Sequence, residues 1–183
     1  MKFSLFKIAF LSLFLTACQL TEPQFSVPKS IKFQGKTFEK VTHNQIDEMQ
    51  QLLYLPDDEA KDPNYWNKGI LLFLDKNSKN ITLADRVALR QSSFNKQKET
   101  KAKVEIVGQE LKSEVLYPPT ERFNDVLLEV SRGRALQCGY GQMQYSDKRL
   151  ISAKEKQNLT AYQPELARLA LVFSQLAWQI SCE

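Results

Sequence analysis

The chain has 183 residues, with 25 Lys or Arg, 21 Asp or Glu and one His, for a formal net charge of +4. That length suits one ordinary domain with a substantial core, and the near balance of charge gives no case for a nucleic-acid partner. One histidine and three cysteines, none clustered, are too few for a conventional zinc site, so neither a metal nor a cofactor is expected.

The chain opens with Lys2 and Lys7, followed by an apolar run, Ile8 to Phe14, that contains no acid. The run is too short to span a bilayer, and it closes on the small residues of a cleavable export segment. Leu15-Thr16-Ala17-Cys18 resembles the lipobox of bacterial lipoproteins. In that family the peptide is cut before the cysteine, which then carries a diacylglycerol and usually an amide-linked acyl chain such as palmitate. The resemblance implies that residues 1–17 are removed, that Cys18 is lipidated, and that the protein is held in the cell envelope through its lipid. Gln19 stands where an Asp would resemble an inner-membrane retention signal, which implies the outer membrane if the organism is Gram-negative. The resemblance covers only these first residues. Without Lys2 and Lys7 the mature chain has 23 basic groups against 21 acidic ones, so it is nearly neutral.

With Cys18 taken by lipid, Cys138 and Cys182 remain in an oxidising compartment and are expected to pair, two buried thiols being the alternative. Residues 18–30, with Pro23 and Pro28 and no apolar period, read as a tether, and 31–183 as a single globular domain.

Ile31–Phe33 and Thr37–Val41 flank Gly35 and read as a hairpin. Asn44 stands three residues before Asp47, and Ile46, Met49, Leu52 and Leu53 share a helical face, which predicts a helix stopped by Pro56. Residues 57–64 (DDEAKDPN) read as an acidic loop lacking the alternation of a calcium loop. Gly69 to Leu74 reads as a strand covered on both faces. Thr82 with Asp85 predicts a capped helix whose Leu83, Val87, Arg90 and Phe94 lie on one side.

Beyond it the period becomes two. Segments 102–106, 111–117, 126–131 and 136–145 read as an antiparallel meander, with Gly133 turning the chain and Gly139 or Gly141 allowing a bulge. Pro164 opens a last helix, apolar nearly all round through Ile180, which predicts burial on more than one side. The fold class expected is α+β: an antiparallel sheet of about five or six strands and about three helices, the C-terminal helix packed across the sheet.

No catalytic set emerges. His43 has no Gly-x-Ser-x-Gly elbow beside it, and Gly139-Tyr140-Gly141 is only a fragment of a dinucleotide fingerprint. The chain is therefore read as a non-enzymatic binding or accessory lipoprotein whose partner is another envelope protein or a cell-wall component. The candidate partner surface is Arg122, Arg132, Arg134, Tyr140 and Tyr145, residue types enriched at interface hot spots. Two alternatives stay open. One is an inhibitor or immunity-type protein projecting the Arg132–Arg134 turn; the other is a carboxylate hydrolase, which needs two facing acids, one with a raised pKa.

Overall fold

In a computed structural model the residues described are 22–152 and 158–183. The expected export segment 1–17 and Cys18 lie outside them. The elements are β1 (Phe25–Ser26), β2 (Ser30–Phe33), β3 (Lys36–Ile46), β4 (Met49–Pro56), β5 (Lys68–Asp75), α1 (Leu83–Asn95), β6 (Lys101–Val107), β7 (Glu110–Tyr117), β8 (Asp125–Leu136), β9 (Gly139–Leu150), α2 (Gln163–Ser174) and β10 (Ser181–Cys182). A 3₁₀ turn, Leu159–Tyr162, leads into α2.

Eight strands form one antiparallel sheet in the order β2-β3-β4-β5-β9-β8-β7-β6, and β1 pairs with β10 as a separate ribbon. The expected α+β class with five or six strands and three helices is therefore corrected. The protein is mostly β, with two α-helices among the described residues.

Much of the difference lies in residues 44–56, which are strand where a helix was expected. Leu52, Leu53, Tyr54 and Leu55 are all buried, because β4 is covered on both faces. Four consecutive apolar residues fit a helical face and a buried strand equally well. Asp47 is not a cap residue but sits at φ +53° in the β3–β4 turn, a conformation Asp tolerates. Ile46 and Met49, read as core, are exposed at that turn.

The hairpin expected at Gly35 is present: Gln34 and Gly35 both have positive φ, as a tight two-residue turn requires. The capping box of α1 is also present, with Thr82 Oγ1 accepting from Asp85 N–H at 3.1 Å and Asp85 accepting from Thr82 N–H at 3.1 Å. Gly133 does not turn the chain. It lies inside β8, which runs on to Leu136, and the β8–β9 register has no bulge at Gly139 or Gly141. A Cβ at Gly133 would stand 1.9 Å from the Tyr140 hydroxyl, so glycine is there to admit the tyrosine ring from the next strand.

The sheet curls. Phe33 on β2 meets Tyr145 on β9 at 5.0 Å between ring centroids, although four strand spacings separate the two strands, ~19 Å if flat. The concave side holds the main core: Phe38, Leu52, Tyr54, Leu72 and Met143, closed by Leu166, Leu169 and Phe173 of α2. The last helix is thus buried on one side only, and Leu171 is exposed. It stops at Ser174, and the following segment runs back as extended chain, carrying Ile180 into the core and Cys182 to β1. On the convex side α1 lies over β6 and β7, and Leu53, Leu55 and Leu71 form a smaller cluster with Trp66.

The Cys138–Cys182 disulfide is formed, with Cα atoms 5.6 Å apart. It fixes β10 to the β8–β9 turn, and β10 in turn holds β1, with Gln24 and Glu183 exchanging backbone hydrogen bonds at 2.7 and 2.9 Å. Tyr54, fully buried, donates to Pro28 O at 2.8 Å, and burial pushes its hydroxyl up to about 12. Residues 24–30, assigned to a free tether from sequence, are docked on the body.

Candidate functional site

The structure does not gather the predicted partner residues on one surface. Arg122 lies in the β7–β8 connection with its guanidinium over the Phe123 ring. Arg132 is only 7% exposed, and its guanidinium holds three elements together. It donates to both Glu110 oxygens on β7, at 2.9 and 2.7 Å, and to the carbonyls of Phe173 and Leu176 at the end of α2, at 3.2 and 2.7 Å. A cation here adds a charged donor to carbonyls at the end of the helix and complements the helix dipole. Arg134 adds a 2.6 Å bond to the same carboxylate and stacks on Trp178 at 4.4 Å. Burial alone would raise the Glu110 pKa; hydrogen bonds from Arg132 and Arg134 outweigh it and hold the carboxyl at about 2.

Tyr145 is a core residue between Phe33, Phe38 and Phe173. Tyr140 is buried on the opposite face under the Arg86 guanidinium, 3.9 Å above its ring. The β8–β9 hairpin is therefore interior structure, and Arg132–Arg134 is not the projecting turn an inhibitor would use.

A polar row that sequence reading did not assemble runs along the convex face beneath α1. It begins at Asp75, which accepts from Arg86 at 2.7 Å, and passes through Tyr140 to Gln142 at 3.4 Å. Gln142 donates to Gln144 at 3.3 Å, and Gln144 donates to Glu129 at 2.8 Å. Arg90 crosses it, donating to Gln142 and, at 3.3 Å, to Ser131. Burial pushes the Glu129 carboxyl up to about 7, against the opposing pull of Arg90 and a Tyr117 hydrogen bond. Arg90 on an otherwise apolar helix side was the one sequence sign of a buried polar layer.

Its two acids cannot work as a pair. Asp75 is opposite Tyr140 and Glu129 opposite Ser146 on β9. Six residues of strand put them ~20 Å apart, whereas glycoside hydrolysis needs carboxylates within about 5–9.5 Å. A raised carboxyl without a facing acid is accounted for by burial. No group of three or more metal-ligating side chains occurs among the described residues, and none of their helices is long and apolar enough to cross a membrane.

Two features open to other molecules are at the two ends of the sheet. At one end the β3–β4 turn borders a groove of about 570 Å³, with Ile46, Met49, Phe73 and Ile81 on its walls. At the other end the connections before β5, before β8 and after β9 come together, tied by Lys148 N–H to Asn67 O at 2.7 Å and Ile151 N–H to Asn124 O at 3.3 Å. They expose Tyr65 (82%), Phe123 (56%) and Leu150 (83%). A protein-family model matches residues 25–178, and the chain belongs to that family. No curated protein and no solved structure matches it.

Proposed function

We propose that this family member is a membrane-anchored cell-envelope lipoprotein with a non-catalytic binding or accessory role, held by lipid on Cys18 and presenting a disulfide-locked domain to a protein or cell-wall partner. The observation that carries the reading is the Cys138–Cys182 disulfide. Of three cysteines it takes two, so the third, Cys18, stands alone directly after the expected export segment, where it would anchor the mature chain. A disulfide closing so long a loop also fits an oxidising compartment.

The binding role is supported by the exposed Tyr65, Phe123 and Leu150, apolar side chains of a kind that interfaces bury. Metabolic labelling with palmitate followed by membrane fractionation tests the anchor. Wild type is expected to carry label and sediment with membranes, and Cys18→Ser to lose both. Unlabelled wild type, or a labelled Cys18→Ser chain, would overturn it. Cross-linking from native membranes tests the role. A captured partner lost on joint Tyr65→Asp, Phe123→Asp and Leu150→Asp substitution supports it; capture unaffected by that triple change removes this surface.

A further inference from the structure

The first described residues of the chain and the exposed apolar turn are at the same end of the molecule. β3 ends at Ile46, and Met49 begins β4 opposite Asp75, the last residue of β5. Lys76, which follows, donates its backbone N–H to Glu48 O at 3.3 Å. Beside it Gly139 begins β9, packed so closely on Asp75 O and Lys76 that a Cβ would lie 2.2 Å from that carbonyl. Cys138 precedes Gly139 and is bonded to Cys182, which pairs with Phe25 on β1. From Phe25 the chain descends toward β2: Tyr54 holds Pro28, and Ser30 pairs with Glu39. Read backward, the described chain reaches Gln24 at this end. Six steps along the chain separate Gln24 from Cys18, a reach of at most ~22 Å.

That end carries the apolar groups. Ile46 is 76% and Met49 51% exposed, and Ile106 and Val107 of the β6–β7 hairpin, which turns at this same end, are also open to solvent. The charges nearest the turn are mixed, Asp47 and Glu48 against Lys76 and Lys79, so attraction rests on apolar burial and not on a basic patch.

We propose that this end lies on the bilayer that holds the Cys18 lipid, with Ile46 and Met49 sunk at the boundary between headgroups and acyl chains. The proposal rests on lipidation of Cys18. A lipid surface suits the site because a tether of this length cannot carry the turn far from the membrane. The docked β1, pinned through the disulfide, fixes which end faces the lipid. The opposite end, with Tyr65, Phe123 and Leu150, then points away from it.

The test uses the lipidated full-length protein in phosphatidylcholine vesicles with and without brominated acyl chains. Ile46→Trp, Met49→Trp and Leu150→Trp are compared after subtracting the emission of Trp66 and Trp178. The added emission at 46 and at 49 is expected to be quenched by the brominated lipid and that at 150 left unchanged, at low and high salt alike. Equal quenching at all three positions, or none at 46 and 49, would overturn the orientation. Blue-shifted emission at 46 and 49 without quenching would also overturn it, since the turn would then be covered by protein. Mass spectrometry of the same samples separates the two readings: absence of acyl groups on Cys18 defeats the anchor itself, whereas an acylated, vesicle-bound chain with unquenched tryptophan defeats only the docking.

Discussion

Arg132→Met removes the one cation that joins β7, β8 and the end of α2. Four hydrogen bonds are lost, two from Glu110 and two from helix carbonyls, and Glu110 keeps its charge in a buried place with only Arg134 and the more distant Lys112 beside it. Breaking one side of a buried ion pair costs about 3–5 kcal/mol, and in a domain of this size that lowers the Tm by about 6–20 °C. The pH dependence isolates the electrostatic share. Glu110 has a folded pKa of about 2, below its ordinary 4.5, so its contribution is fully present above the unfolded value and is lost as pH falls toward 2. The shift corresponds to about 3 kcal/mol, of which about 2 is gone at pH 3. Urea unfolding of wild type and Arg132→Met at pH 7 and pH 3 is therefore expected to show a large gap that narrows on acidification by at most about 2 kcal/mol, since Arg134 still lowers Glu110 in the variant. Glu110→Gln combined with Arg132→Met should cost less than the sum of the single changes. A gap that does not depend on pH, with additive single costs, would refute the ion-pair account and leave only the helix-end bonds.

Three further outcomes follow from the same reasoning. Reducing the disulfide, or joint Cys138→Ser and Cys182→Ser substitution, opens a loop of sequence separation 44 and should cost about 4 kcal/mol in the chain-entropy picture; limited proteolysis should then cut within residues 22–30, since β10 no longer holds β1. Gly133→Ala places a methyl group on the Tyr140 hydroxyl and should destabilise by about 1–3 kcal/mol as overpacking, with partial rescue by Tyr140→Phe; thermal melts that match wild type would contradict the close approach. Glu129 has a raised pKa of about 7, so its cost to the fold is absent below the ordinary carboxylate range and develops as pH rises through 7. Melts of wild type should therefore lose stability between pH 5 and pH 8 relative to Glu129→Gln, and parallel curves would reject it.

What was legible in the sequence depended on interactions a few residues long or on simple elimination. The Thr82–Asp85 capping box closes within one helical turn, the Gln34-Gly35 turn within two residues, and the Gly69–Leu74 run is apolar whichever strand lies beside it. The disulfide was expected from counting, because setting Cys18 aside for lipid left Cys138 and Cys182 as the remaining pair, with two buried thiols as the alternative. Residues 44–56 failed for a physical reason: their pattern suits both a helix and a strand buried on two faces, and only pairing with β5 decides between them.

The arginines failed similarly. Arg132 next to a glycine looked like an exposed turn, yet its partners are 22, 41 and 44 residues away on β7 and α2. The polar row under α1 draws on β5, β8, β9 and the helix, and the burial that raises Glu129 exists only once they pack. Local chemistry along the chain determined caps, turns and the cysteine pairing. Which face each strand buries, and at which end of the sheet β1 and the disulfide sit, were decided by the tertiary structure, because long-range strand pairing sets both.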